Sequence, residues 1–121
     1  MIVPINSKSF NEAMEIACEF YSCLKGTISK KYGKMAVNVG DEGGFAPPLE
    51  SPEQAIDLIM ETVKILGFQS KIAIAIDVAA SEFFDGENYV LSKKWKNSKE
   101  KILTKLQYID YLVELVGKYP S

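Results

Sequence analysis

The sequence predicts an α/β fold. Three observations predict it. Apolar residues at helical spacing alternate along the chain with short apolar runs. One run, KIAIAID over residues 71–77, is apolar on both of its alternating faces. Three Ser- or Thr-led capping boxes stand where helical periodicity begins. The 121 residues suffice for one domain, and a 47% apolar content supports a core.

The elements follow in order. Met1 to Pro4 is short and apolar and reads as the tail of a strand. Ser9-Phe-Asn-Glu12 is a capping box, so a helix should begin near Phe10. Phe10, Ala13, Met14, Ala17, Phe20, Tyr21, Leu24 and Ile28 recur at helical spacing up to a stop at Gly33. Met35 to Val39 reads as a short strand feeding a glycine loop that ends in Pro47-Pro48. Ser51-Pro-Glu-Gln54 opens a second helix, with Ile56, Ile59, Met60, Val63 and Leu66 inward and Gly67 at its end. KIAIAID reads as a buried parallel strand, with right-handed crossovers expected. FFDGENYVL, residues 83–91, reads as a hairpin or extended loop with a DG turn. Thr104-Lys-Leu-Gln107 opens the last helix, whose apolar face should be Leu106, Ile109, Leu112, Val113 and Val116.

Composition excludes several functions. A net charge of −2 points to neither nucleic acid nor membrane as partner. No apolar run reaches the roughly 18 residues of a membrane span, and MIVPINSKSF is no signal peptide. Cys18 and Cys23 lie roughly 140° apart on a helix, neither a redox pair nor a zinc clip. They read as reduced thiols of a cytosolic protein. The chain has no histidine, so a His-based triad or His-ligated zinc within it is excluded.

The chemistry concentrates in two acidic segments. NVGDEGGFAPP, residues 38–48, sets Asp41 and Glu42 among three glycines. Glycine is kept where the backbone needs φ > 0 or a close approach. A loop presenting acids to a ligand has that need, and so has an ordinary surface turn. No GK[ST] follows, so this is no Walker loop. Asp77 ends its run, where it can ligate a metal or cap the next turn. If both preceding strands are parallel, Glu42 and Asp77 face the same, ligand-binding end of the sheet. Lys93, Lys94, Lys96, Lys99, Lys101 and Lys105 form either a solvated loop or a phosphate-attracting patch.

NVGDEGGFAPP resembles the NVGDEGGFAPN signature of enolase, the phosphopyruvate hydratase of glycolysis. IAIDVAASEFF resembles that family's strand-and-loop segment (I/L)(G/A)xDxA(A/S)SEF. MIVP with the helix FNEAMEIACEFYSCLK is similar to the stretch after the family's QEFM motif, and Lys118-Tyr119-Pro120 to the lead-in to its SIEDP strand. The resemblance covers essentially all 121 residues. It departs at Val37, where glycine is usual, at Pro48, where asparagine is common, and in the looser stretch after Tyr89.

The resemblance implies dehydration of 2-phosphoglycerate to phosphoenolpyruvate with magnesium and a lysine base, as is general knowledge of the superfamily. Residue by residue, Glu42 matches the proton donor and Asp77 the first magnesium ligand. Residues 81 to about 105 match a mobile active-site loop. The glycines would bring the Glu42 carboxyl to the substrate hydroxyl without crowding a doubly charged ligand. The implied fold is a partial (β/α) barrel, about three strands with flanking helices, since a complete barrel needs about 250 residues. The family's base lysine, two further metal carboxylates and a substrate-binding Glu match no position here. Residues 1–121 are thus expected to be one incomplete segment of a barrel domain, inactive alone. The parent is expected to be a cytoplasmic homodimer. The alternative is a free-standing, non-enzymatic module that binds another protein through open strand edges. A different enzyme of the superfamily is disfavoured by GDEGG.

Overall fold

The computed structural model describes residues 1–93 and 101–119. Lys94, Lys96, Lys99 and Pro120, singled out above, lie outside the described residues. Helix α1 spans Phe10–Tyr32, α2 Pro52–Leu66 and α3 Lys105–Lys118. All three start where their caps predict. Ser9 Oγ accepts the N–H of Glu12 at 3.2 Å, while the Glu12 carboxylate accepts the N–H of Lys8 at 2.6 Å. Gln54 likewise reaches back to Glu50, one residue before the Ser51 cap. Only at α3 is the box fully reciprocal, between Thr104 and Gln107. Gly33 and Gly67 end the first two helices at φ 86° and 69°, values that favour glycine.

Helices α1 and α2 share the main core. Ile16, Phe20, Val63, Phe68 and Ile72 form one cluster, and Ile28, Ala36 and Leu58 a second. Burying a side chain such as Phe20 or Val63 contributes about 1.5–3 kcal/mol. Thr62 is fully buried in this layer, and its hydroxyl donates to Leu58 O at 3.0 Å, so no polar atom is stranded. The buried stripe of α1 is narrower than its periodicity suggests. Phe10, Met14 and Tyr21 are exposed, and Ile16 is buried instead.

Two expectations for the strands fail. Met35 to Val39 is not a strand: Lys34–Val37 is a 3-10 turn, and only Val39 makes a single bridge, to Phe45. The φ of Gly33 turns the chain back, and the amides of Ala36 and Asn38 close three-residue turns onto Gly33 and Met35. Nor is the run 71–77 a parallel strand. Its regular part, β2 (Ile72–Ile74), pairs antiparallel with β1 (Ile2–Pro4), with Ile2 opposite Ile74. The reason is the count of helices between them. One helix returns the chain for a parallel partner; two, α1 and α2, return it in the opposite sense. The same-end argument for Glu42 and Asp77 therefore loses its sheet.

The DG turn does form. Phe84 bridges Tyr89, Gly86 sits at φ 105°, and Asp85 Oδ1 accepts the amides of Glu87 and Asn88. Strand β3 (Tyr89–Val90) then pairs antiparallel with β4 (Ile102–Leu103). Phe83, Leu91 and Tyr108 form a separate aromatic cluster there, with Tyr89 stacked on Tyr108 at 4.3 Å. The face of α3 that packs carries Tyr108 and Leu115. Leu106, Ile109, Val113 and Val116, expected inside, are 54–74% exposed, and only Leu112 of the expected set lies half-buried. The described residues thus form a small α/β unit with two two-stranded sheets and no closed barrel. No helix among them is long and apolar enough to cross a membrane.

Candidate functional site

The segment GDEGG folds into the tip of a miniature hairpin. Val39 and Phe45 bridge at its base, and the amide of Ala46 bonds to Asn38 O at 2.9 Å. Inside, Gly40 N–H donates to Gly44 O and Gly43 N–H to Gly40 O, both at 2.9 Å. Asp41 and Glu42 therefore hold the two central positions of a turn, and both are exposed. Gly43 follows at φ 77°. This is the three-residue hairpin loop in which a left-handed residue closes a turn. A Cβ on Gly43 would meet no atom within 4 Å, so conformation rather than protein crowding demands glycine there.

The turn is tied to α1. Tyr21 OH donates to Gly43 O at 2.8 Å across 22 residues, and its ring stacks on Phe45 with centroids 4.5 Å apart. Periodicity placed Tyr21 on the apolar face of the helix and missed this role. A tyrosine at the edge of an apolar stripe, with a hydroxyl in need of a partner, was the available signal.

Asp77 is also exposed, just beyond β2. Its Oδ1 accepts the amide of Ala79 at 3.0 Å, and Ala79 takes the left-handed φ of 48°. The turn-capping role is thus real, and a carboxylate keeps lone pairs for a further partner. Asp77 borders a cavity of about 120 Å³ walled by Pro52, Ile76, Phe83, Tyr108 and Tyr111. No residue of the glycine loop lines that cavity. The larger apolar hollow beside the loop, about 420 Å³, includes Gly44 and Phe45 but not Asp77. Neither hollow is lined by both the glycine loop and Asp77. Among the described residues no three Asp, Glu, Cys or His side chains gather as a metal site.

Next to the Asp77 cavity lies a polar cluster that sequence reading missed. Burial alone would push the Glu53 carboxyl up, but its own backbone N–H, the Ser51 and Tyr111 hydroxyls and the Lys101 charge hold it below the usual carboxylate range. Burial and then the Glu53 charge raise the Tyr111 phenol well above its ordinary value, so it stays a neutral donor. Lys101 sits over the Tyr111 ring at 4.8 Å. Cys18 and Cys23 are free thiols.

Sequence comparison matches residues 1–121 to the family described as the enolase C-terminal TIM barrel domain. The chain is 47% identical over 121 residues to an enolase of Methanocaldococcus jannaschii and 42% identical over 120 residues to one of Sulfurisphaera tokodaii. In each case 99% of this chain is covered. The chain spans 27% of the length of these relatives.

Proposed function

The chain belongs to the enolase C-terminal TIM barrel domain family, and from that premise we propose that it serves a parent enzyme that dehydrates 2-phosphoglycerate to phosphoenolpyruvate. It would be one segment of that enzyme's barrel domain, without activity by itself. The observation that carries the reading is the Glu42 turn. The family's acid sequence is displayed at an exposed hairpin tip, and among the described residues no hydrogen bond or ion pair occupies the Glu42 carboxyl.

Hydroxide is a poor leaving group. Glu42 carries a proton to the substrate's hydroxyl oxygen as the carbon–oxygen bond breaks, and water departs. The hairpin backbone sets the height and direction of that carboxyl. Asp77 would hold magnesium. Its oxygen donor type suits that ion, which accepts few protein ligands and keeps its remaining places for water and substrate oxygens. Bound magnesium supplies positive charge against the substrate carboxylate. The lysine base and the other carboxylates come from positions that this chain does not match. The parent is read as a homodimer, as the family resemblance implies, and as cytoplasmic, in keeping with the free thiols Cys18 and Cys23.

The test is a hybrid enzyme in which this chain replaces the matching segment of the Methanocaldococcus jannaschii relative. The hybrid should form phosphoenolpyruvate, and Glu42→Gln should abolish most of that turnover. A folded Glu42→Gln hybrid as active as the unsubstituted hybrid would falsify the assignment.

A further inference from the structure

We propose that Tyr21 is the positioning residue for the Glu42 turn, an inference that rests on Glu42 being the proton donor. The turn has an internal weakness. Its two short bonds, Gly40 N–H to Gly44 O and Gly43 N–H to Gly40 O, fix the hairpin's shape. Yet the peptide that follows Glu42's neighbour joins Gly43 to Gly44, two residues without a Cβ to restrict rotation. The glycines that let the turn form also let it wander.

Tyr21 acts at that peptide. Its hydroxyl bonds to Gly43 O, the carbonyl between the two glycines, one residue beyond Glu42. Its ring stacks on Phe45, one residue beyond Gly44, with ring planes 25° apart. The two contacts bracket the softest link of the loop. Phe45 in turn packs against the cluster of Ile28, Ala36 and Leu58. Tyr21 sits on a 23-residue helix beside Phe20, which is 3% exposed in the core. Its phenol is thus mounted on a rigid element and is itself 44% exposed, at the core's edge. A catalytic acid must come within about 2.6–3.2 Å of the atom it protonates. A displacement of about 1 Å can cost on the order of 100-fold in rate. Fixing the Gly43 carbonyl limits that displacement. Tyr21 does not touch the reacting atoms; it acts through the backbone that carries Glu42.

The experiment is a double-mutant cycle in the hybrid enzyme. Tyr21→Phe keeps the stacked ring and removes the hydroxyl. It should lower kcat by about five-fold, the equivalent of one net hydrogen bond, with KM unchanged. In a Glu42→Gln background the same change should have no effect on kcat, because no proton is left to place. A merely structural tyrosine would give the same loss in both backgrounds, and that result overturns the inference while leaving the donor reading intact. A Glu42→Gln variant with full turnover overturns the donor reading instead, and this inference with it. Amide hydrogen exchange supplies a second readout. Tyr21→Phe should speed exchange at Gly40 and Gly43 while the α1 amides keep their protection. Unchanged exchange at both glycines would overturn the inference even if kcat falls.

Discussion

Glu42 and Asp77 are held in opposite ways. The turn that carries Glu42 is held from outside, by a phenol 22 residues away on another element. Asp77 holds its own chain, by accepting the amide two residues downstream. One carboxyl has no structural duty among the described residues; the other is itself a structural part. The difference matches what the two proposed roles require. An acid that gives up a proton must have its oxygens unoccupied while its backbone is fixed. A metal ligand can share its oxygens, because a carboxylate has about four lone-pair sites. Strain is also placed differently. The left-handed residue beside Glu42 is a glycine, and the one beside Asp77 is Ala79.

The sharpest way to break this comparison is Glu42→Gln in the hybrid enzyme. Loss of a general acid should lower kcat by about 10²–10⁴-fold while leaving the fold and magnesium affinity intact. Titration calorimetry with magnesium and a turnover assay check both halves. Next comes Asp77. Asp77→Asn keeps an oxygen for the Ala79 amide and removes the charge. It should cost at least the roughly 10–100-fold in magnesium affinity known for partners further from a metal. Thermal stability should survive in Asp77→Asn and fall in Asp77→Ala. Equal magnesium loss in the Glu42 and Asp77 variants would erase the division of roles.

Smaller effects sharpen the contrast in strain. Gly43→Ala places a Cβ in a left-handed conformation and should destabilise by about 1–2 kcal/mol. Ala79→Gly relieves such a conformation but loses about 0.4–1 kcal/mol through the unfolded chain. It should be neutral or slightly stabilising. Chemical denaturation of the two variants checks that only Gly43→Ala destabilises. The smallest expected effect concerns the neighbourhood of Asp77. Glu53 is held below the usual carboxylate range. Its contribution is therefore present above the unfolded carboxyl value, about pH 4.3, and is lost as pH falls through the folded value. Glu53→Gln should make stability less sensitive to acid below that pH, seen as converging denaturation midpoints.

The helices were legible because their signals are local. Ser9, Ser51 and Thr104 mark the starts, and Gly33 and Gly67 the ends of the first two, within a few residues of chain. Strand direction was not legible, because Met35 to Val39 reads as a strand between the two helices, whereas Lys34–Val37 is a 3-10 turn, which leaves two helices between β1 and β2. The exposed face of α3 was misread for a related reason. Leu106, Ile109, Val113 and Val116 keep helical spacing, but spacing cannot say which of two apolar flanks this unit covers. It covers Tyr108, which lies in the aromatic cluster, and Leu115, which packs with Ile56 and Ile74. Of the candidate site, the two acids were visible through their glycine and turn chemistry. Tyr21 was not, because its hydroxyl meets a carbonyl that only the tertiary fold brings near.

The pairing of β1 with β2 has a consequence for the order of assembly. Its terminal contact, Met1 with Ala75, closes 74 residues, against 22 for the contact of Tyr21 with Gly43. Closure entropy grows with the logarithm of loop length, at about 0.6 kcal/mol per doubling. The longer closure therefore costs about 1 kcal/mol more. The acidic turn can dock on α1 before the strands meet, and pairing of Ile2 with Ile74 then arrives late, sealing a helical layer already formed. In pulse-labelling during refolding, the amides of Gly40 and Gly43 should gain protection ahead of those of Ile5 and Ala75, which bond across that closure.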